Sequence, residues 1–376
     1  MRIRLIYTSL CLIAMTVVSA DAAQANDVSR PILLDALKKD GYTEGEKQHS
    51  AWQDTTQAGQ KALSAGDLIG AQTAFRAALD AAEKFGRKDS RVAVSQSNLG
   101  QLYKAQGNFE LAEKASRKSL ELIRENGLKD NFGFAVELSN LAGILKDQGK
   151  CGEAKPLYEG ALAILTEVRG DESVEVATVY DNLAVLYQRQ GDYKAAVTVQ
   201  LKATAIYEKK LGADNADLAI GLGNLAESYR ELNQGVKAQP LYERSLAIMR
   251  KNYGDRHPAV ATALDNLAGF YVKEGKLKEA EDLQLKALET FRETLGGRHP
   301  DVAICLDNLA DLYTRQGKTE LALEKSAESF EIAEKTLGRE HPLSVGIKHR
   351  MEDLKMQDLK MQNQKTSDSE NQATGQ

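Results

Sequence analysis

Apolar and small residues recur along the chain with a period of 42 residues. Each period contains the triplet Asn-Leu-Ala, or Asn-Leu-Gly in its first copy, and no insertion or deletion interrupts six successive copies. The triplets begin at Asn98, Asn140, Asn182, Asn224, Asn266 and Asn308. Leu always follows at +1 from the Asn, and Tyr stands at +5 in five copies. A period of this length is typical of stacked helical repeats that share one continuous core.

Glycine and alanine mark where each period turns. Position +9 holds Gly, or Asn233 in the fifth layer, +14 is always Ala, and Gly closes five of the units at +30. Gly and Asn accept the positive φ that ends a helix, and Ala leaves room where two helices cross. Pro156 and Pro240, both at +16, are expected within about the first turn of the second helix, where a missing N–H costs little. The pattern predicts one helical hairpin per period, with the Asn on helix A.

The two ends of the chain depart from this regular unit. Gly66 and Ala71 are five residues apart, like Gly107 and Ala112, and indicate a diverged first layer. The sequence thus predicts an all-α solenoid of about seven helix pairs with a capping helix after them. The predicted segments are a signal peptide (1–25), a polar leader (26–50), a diverged repeat (51–90), six regular repeats (91–341), a capping helix (342–362) and a disordered tail (363–376).

The N-terminus has the layout of an export signal. A short basic start, MRIR, precedes a mostly apolar stretch from Leu5 to Val18, and small residues follow it. This stretch is shorter than the ~20 residues that a membrane-spanning helix needs, so we expect a cleavable signal. Cleavage after Ala25 or Ala20 fits the small residues there. The mature protein is then expected to be periplasmic or secreted, with no membrane insertion.

No motif in the chain indicates a reaction centre. A formal net charge of −5 gives no general electrostatic case for binding nucleic acid. Gly-rich phosphate loops, HExxH, GxSxG and CxxC are all missing from the sequence. Acid pairs such as Asp214/Asp217 and Asp307/Asp311 are interpreted as helix starts and solvated faces. We therefore expect a protein that is not an enzyme and that uses no cofactor.

Histidine and cysteine patterns are also interpreted as structural. His257, His299 and His341 each precede a Pro, one per layer, and layers of packed helices are ~10 Å apart, too far for one metal ion to be shared. No metal site is predicted. For the same reason Cys151 and Cys305, in the third and seventh layers, are expected to be unpaired thiols, with Cys305 in the core.

Helical geometry indicates a candidate binding groove. At 100° per residue, Leu at +1 and Tyr at +5 mark the core side, and the Asn lies at the border with the opposite face. An Asn amide both donates and accepts, so six of them could bond the backbone of an extended chain. Each layer adds one basic residue at +6 or +7, which favours acidic or carboxylate-bearing segments. These are Lys104, Lys146, Arg189, Arg230, Lys273 and Arg315.

Two observations leave that assignment open. Asp181, Asp265 and Asp307 stand at −1 beside the groove and would locally neutralise the basic row. Alternatively, the Asn side chains bond the neighbouring layer, and the charges are merely solvated.

The repeated unit resembles a known family. The segment LGGRHPDVAICLDNLADLYTRQGKTELALEKS, from Leu295 to Ser326, is similar to the 42-residue tetratricopeptide repeat of kinesin light chain in its LG–HP junction, its NLA–LY helix and its helix-B Ala. The resemblance spans Arg91 to Pro342, although the first layer lacks the Asn and layers two to four lack His-Pro. It implies a right-handed superhelix whose concave face, lined by the A helices, binds extended peptides.

These patterns lead to one leading hypothesis and two alternatives. The leading hypothesis is an exported, non-catalytic scaffold that binds an extended protein or peptide segment in its groove. The basic row favours an acidic segment. The alternatives are a structural, self-assembling envelope component and an accessory subunit that presents substrate to a separate enzyme. Light scattering separates the first alternative from the others, because the sequence leaves the oligomeric state open.

Overall fold

The computed structural model describes residues 46–127, 132–341, 343–356 and 358–359. Every regular element in these ranges is an α-helix. The helices are α1 (Glu46–Ser64), α2 (Leu68–Glu83), α3 (Ser90–Ala105), α4 (Phe109–Glu125), α5 (Phe132–Asp147), α6 (Cys151–Arg169), α7 (Val174–Arg189), α8 (Tyr193–Leu211), α9 (Ala216–Glu231), α10 (Gly235–Tyr253), α11 (Pro258–Lys273), α12 (Leu277–Leu295), α13 (Pro300–Arg315), α14 (Thr319–Leu337) and α15 (343–356). The predicted all-α fold of seven helix pairs and a final helix is confirmed.

The helix pairs turn where the glycine pattern predicts. Every Gly at +9 has positive φ, +76° at Gly191 for example, and Asn233 in the same slot has φ +57°. Glycines at +30 end the B helices, also with positive φ. The alanines at +14 are completely buried in every regular layer, Ala154 and Ala196 among them. Position +14 is therefore a core position in each of these layers.

One expectation about the B helices was wrong. Pro156 and Pro240 are the sixth residues of α6 and α10, so they lie in the second turn of the helix rather than the first. These helices begin closer to the turn than the position of the prolines suggests, at Cys151 and Gly235. Each Pro removes one internal hydrogen bond, and packing of the helix on its neighbours outweighs that loss.

The described residues divide into two compact units, with the boundary between Ile248 and Met249. In the first unit, α1 to α9 pack each on the next, and α1, α3, α5, α7 and α9 also pack on one another in turn. In the second unit, α11 to α14 pack in the same sequential way, and α11 also contacts α13. Within each unit the A helices thus lie side by side, and the predicted groove residues lie on them.

The first layer begins before its predicted boundary. Helix α1 starts at Glu46, inside the predicted leader, and Trp52 on it is buried, donating from Nε1 to Ser95 Oγ at 3.0 Å. Gly66 turns the chain with φ +76°, and Ala71 is buried as in the regular layers. The predicted signal peptide, most of the leader and the predicted tail lie outside the described residues.

Candidate functional site

The six asparagines of the repeated Asn-Leu triplet, called the ruler asparagines below, have different surroundings. Asn140 Nδ2 donates to Glu137 Oε2 on its own helix at 3.1 Å, and Asn308 Nδ2 donates to Asp265 Oδ2 of the preceding layer at 2.8 Å. Asn224 is buried, whereas Asn98, Asn182 and Asn266 are half-buried. Asn308 therefore behaves as the alternative interpretation expects, by bonding the neighbouring layer.

In α15, the position equivalent to the ruler asparagines is occupied by a different residue. Arg350 lies one period after Asn308, and its guanidinium binds both oxygens of Asp307 in the preceding layer. Asp307 is therefore ion-paired and largely buried, which corrects its interpretation as a solvated acid. Asp217 is also half-buried, and burial raises the pKa of its carboxyl to about 6. Helical angles alone placed Asp307 on an open face, but Arg350 of the next A helix contacts it there.

Three of the six predicted basic residues converge on one acid. Lys104 Nζ lies 3.2 Å from Asp147 Oδ2, and Arg189 Nη2 lies 3.1 Å from Asp147 Oδ1. Lys146 Nζ is 3.9 Å from the same carboxylate. These residues come from α3, α5 and α7, the A helices of three successive layers. We call Lys104, Lys146, Asp147 and Arg189 the Asp147 cluster.

The Asp147 cluster carries more positive than negative charge. Burial, together with the charges of Lys104 and Arg189 and against that of Asp147, lowers the pKa of Lys146 to about 8. Burial alone would raise the pKa of Asp147, but the three cations outweigh it and hold that pKa below its usual range. With Lys146 protonated, three cations face a single carboxylate. A partly buried surplus of positive charge favours an anionic ligand.

Unused hydrogen-bond donors surround this surplus. Within the described part of the chain, Arg189 Nε and Tyr158 Oη are buried and have no hydrogen-bond partner. Gly143 provides space beside them, since a Cβ there would lie 3.5 Å from both Lys104 Nζ and Tyr158 Oη. Donors that are buried without acceptors are costly, and a carboxylate oxygen would satisfy them.

The remaining basic residues differ from those in the Asp147 cluster. Arg230 binds two carboxylates, those of Glu227 and Glu231, so its charge is more than balanced. Glu227 also accepts from Tyr242 Oη at 2.7 Å. Arg315 is more than half exposed and pairs with Asp311 on its own helix, and Lys273 is exposed. The basic row is therefore not uniform, and its positive surplus lies on α3, α5 and α7.

The junction histidines have a defined structural role. Each is the N-cap of an A helix, and its Nδ1 accepts the backbone N–H two residues on, at 3.1 Å in His257, 3.2 Å in His299 and 3.2 Å in His341. Nδ1 must be unprotonated to accept, so these rings are neutral when they cap. The predicted junction role is confirmed. The two thiols agree with expectation as well, because Cys151 and Cys305 are free and Cys305 is buried.

Comparison with known families agrees with this architecture. A sequence model of the tetratricopeptide repeat matches residues 57–125, 135–209, 217–269 and 260–335, more than half of the chain. The chain belongs to the tetratricopeptide repeat family. Tetratricopeptide repeats are generally non-catalytic scaffolds for binding other proteins. No curated protein sequence matches the chain.

Several solved structures are similar to the chain. The apo form of RapI is 19% identical with a TM-score of 0.58, over 76% of this chain and 98% of that one. A putative kinesin light chain from Podosopora anserina is 26% identical with a TM-score of 0.45, over 55% of this chain and 98% of that one. BtubC (BKLC) from P. vanneervenii is 24% identical with a TM-score of 0.47, over 68% of this chain and 95% of that one. The match to RapI supports the fold alone.

Sequence reasoning missed the acid at the centre of this tetratricopeptide repeat surface. Asp147 stands at +7, where the neighbouring fourth layer carries Arg189, and that exception was the available signal. It also missed the buried Glu137, which accepts from Ser97, Ser116 and Asn140 and so joins α3, α4 and α5. No signal in a single period reveals that network, because its donors come from different layers.

Two searches of the described residues complete the picture. No cluster of three or more His, Cys, Asp or Glu side chains among them has the arrangement of a metal site. None of their helices combines the length and the apolar character needed to cross a bilayer.

Proposed function

We propose that this protein is an exported, non-catalytic scaffold that binds an extended segment of a partner protein on its A helices, and that the Asp147 cluster receives a carboxylate of that segment. The repeat fold supports a protein-binding role, and the surplus positive charge with unused buried donors supports an anionic contact. The layout of residues 1–25 supports export to the periplasm or beyond. The observation that carries the proposal is the convergence of Lys104, Lys146 and Arg189 on a single acid.

A carboxylate suits the cluster for a geometric reason. Arg189 and Lys104 each bind Asp147 with one donor, and Arg189 Nη1 also donates to the Lys146 carbonyl at 3.3 Å. Both side chains retain some exposure to solvent. Their other donors, with Tyr158 Oη, can reach an incoming anion without breaking those bonds. Asn98 and Asn182, which are half-buried and lie in the same unit as the cluster, are proposed to bond the backbone of the same segment.

The first test compares peptides that differ only in their C-terminal group. Short fluorescent peptides selected for binding from a randomised pool are prepared with a free carboxylate and as amides. We expect the double variant Lys104→Met with Arg189→Met to weaken binding of the carboxylate form at least about tenfold, the equivalent of one lost charge-assisted hydrogen bond. Fluorescence anisotropy measures both affinities, and circular dichroism checks the fold.

Matched controls separate this site from general electrostatics. Arg315→Met removes an exposed cation of the same predicted row and should leave affinity unchanged. The amide peptides should respond to Asn98→Ala with Asn182→Ala but little to the cluster variant. If the cluster variant binds the carboxylate peptides as well as the parent protein does, the carboxylate assignment is wrong, whatever the asparagines contribute.

A further inference from the structure

Two buried aspartates line one cleft in the second unit. Asp265 on α11 and Asp301 on α13 are only 8% and 6% exposed. The cleft between these helices has a volume of about 20 Å³, which is room for about one water-sized group. It also contains Thr262, Asn266, Phe291, Ile304 and Cys305. We call it the acidic cleft.

The hydrogen bonds of the acidic cleft leave acceptors without donors. Both oxygens of Asp265 accept from neutral amides, from Gln284 Nε2 at 3.0 Å and from Asn308 Nδ2 at 2.8 Å. Asp301 Oδ2 and Gln284 Oε1 are buried, and no donor among the described residues bonds them. His299 Nδ1 lies 3.6 Å from Asp301 Oδ2, but its lone pair already accepts the Asp301 N–H. The donors that bond Asp265 are therefore neutral, and within the described residues no cation forms an ion pair with Asp265 or Asp301 while His299 is neutral.

The pKa values of the two aspartates also indicate that the acidic cleft lacks a compensating positive charge. Burial raises the pKa of Asp265 to about 6, against the hydrogen bonds it accepts. Burial raises the pKa of Asp301 to about 7, and the charge of Asp265 adds to the effect. Two carboxylates that are buried together repel each other and lose hydration. A cation between them would reverse both penalties.

The same arrangement occurs two repeats earlier in the sequence. Asp181, Gln200 and Asp217 occupy the positions that Asp265, Gln284 and Asp301 occupy later. Gln200 Nε2 donates to Asp181, and again the other acceptors, Asp217 Oδ1 and Gln200 Oε1, have no donor within the described ranges. Burial raises the pKa of Asp181 to about 7. Recurrence on different helices shows that the acceptor surplus belongs to the residue pattern.

We propose that the acidic cleft binds a primary ammonium group, either the side chain of a lysine or a free alkylamine. An ammonium ion is a compact single charge with three hydrogen-bond donors. Asp301 Oδ2 and Gln284 Oε1 are both acceptors that lack a donor among the described residues. A guanidinium fits less well, because both oxygens of Asp265 are already engaged and offer no free edge for a planar fork. Asn266, one of the six asparagines of the repeated triplet, lines the same cleft.

Calorimetry on the full chain tests this with two small probes. N-butylammonium chloride represents the free amine, and acetyl-lysine methylamide represents a peptide lysine. We expect saturable binding of at least one probe. The ratio of the two affinities identifies whether the natural ligand is a free amine or a peptide lysine. Asp301→Asn keeps the size of the side chain and should weaken binding at least about tenfold. Asp311→Asn, on the same helix but exposed and ion-paired, should leave it unchanged.

A second variant and a pH series make the test independent of folding effects. Thr262→Phe fills the cleft without touching a carboxylate and should also abolish binding. Affinity should rise from pH 5 to pH 8 as Asp265 and Asp301 ionise. Burial lowers the pKa of the neighbouring His299, which therefore stays neutral over most of this range. Burial raises the pKa of the Cys305 thiol well above its ordinary value, so this group stays neutral over this range.

Three results would overturn the proposal. The first is equal binding of acetyl-norleucine methylamide, which lacks the ammonium group. The second is an unchanged affinity of the Asp301→Asn variant for the probes. The third is full displacement of the bound probe by an equal concentration of potassium ions. The acidic cleft shares no residue with the Asp147 cluster. Failure here would therefore leave the carboxylate proposal standing, and failure of that proposal would leave this one standing.

Discussion

Single residues in this protein are often fixed by backbone conformation rather than by contacts. Gly191 turns α7 into α8 with φ +76°, yet a Cβ there would meet nothing within 4 Å. Gly152 in α6 also has open space around it but lies within the helix. The two glycines share an empty environment and differ only in conformation. They therefore isolate the cost of positive φ from any packing effect.

Substituting these glycines should give effects of opposite sign. Gly191→Ala should lower the free energy of unfolding by about 1–2 kcal/mol, because an L-residue is strained at positive φ. Gly152→Ala should raise it by up to about 0.5–1 kcal/mol, because Ala loses less backbone entropy in a helix. Urea denaturation followed by circular dichroism measures both. Equal effects of the two substitutions would show that conformation does not decide these positions.

At the scale of an element, the starts of the last A helices depend on neutral histidine. His341 Nδ1 accepts the Leu343 N–H at 3.2 Å, and burial holds the pKa of this ring below its usual value of about 6.5. A group whose pKa is lower in the folded state contributes stability above its unfolded pKa. That contribution is lost as pH falls through the folded pKa. The cap of α15 is therefore sensitive to mild acid.

His341→Asn should remove this sensitivity, because Asn is a good N-cap that does not titrate in this range. In the parent protein, amide hydrogen exchange in α15 should lose protection, after correction for intrinsic rates, as pH falls from about 7.5 to about 5. In the variant that protection should stay constant. The same loss of protection in both proteins would place the acid-sensitive group elsewhere. The amide of Ala71 in α2, which is far along the sequence from any junction His, serves as an internal reference.

At the scale of the whole molecule, the net charge conceals two opposite local surpluses. The chain carries −5 overall, but the Asp147 cluster has more cations than anions and the acidic cleft has two acids without a cation. A repeat fold permits this because each layer is held by its neighbours, so the exposed and half-buried positions of each layer are free to differ. Partner chemistry is thus a local property of a few layers.

The proposed export also belongs to the scale of the whole molecule. Expression of the full chain in a Gram-negative host should yield protein in the periplasm or medium that begins at Asn26 or Asp21, after loss of the predicted signal. Intact mass spectrometry identifies the new N-terminus. Leu12→Arg interrupts the apolar stretch and should leave the uncleaved chain in the cytoplasm. Full-length protein recovered from membranes would mean that the segment is an anchor.

The sequence by itself determined the repeat architecture. The 42-residue period, the positive-φ residues at +9 and the buried Ala at +14 each act within one hairpin, so a single unit contains the information. Local rules failed only in detail, as for Pro156, because helix starts depend on packing as well as on propensity. The role of His299 was predicted as structural, although its cap bond was not foreseen.

Only the tertiary structure decided the chemistry of the surface. Lys104, Asp147 and Arg189 come from different layers, and so do Asp265 and Asp301. Helical angles describe one helix at a time, and they placed the −1 acids on an open face that the next A helix in fact covers. Burial, pKa and unused hydrogen bonds arise when neighbouring layers pack, because the charge and solvation of each group then depend on residues tens of positions away in the chain.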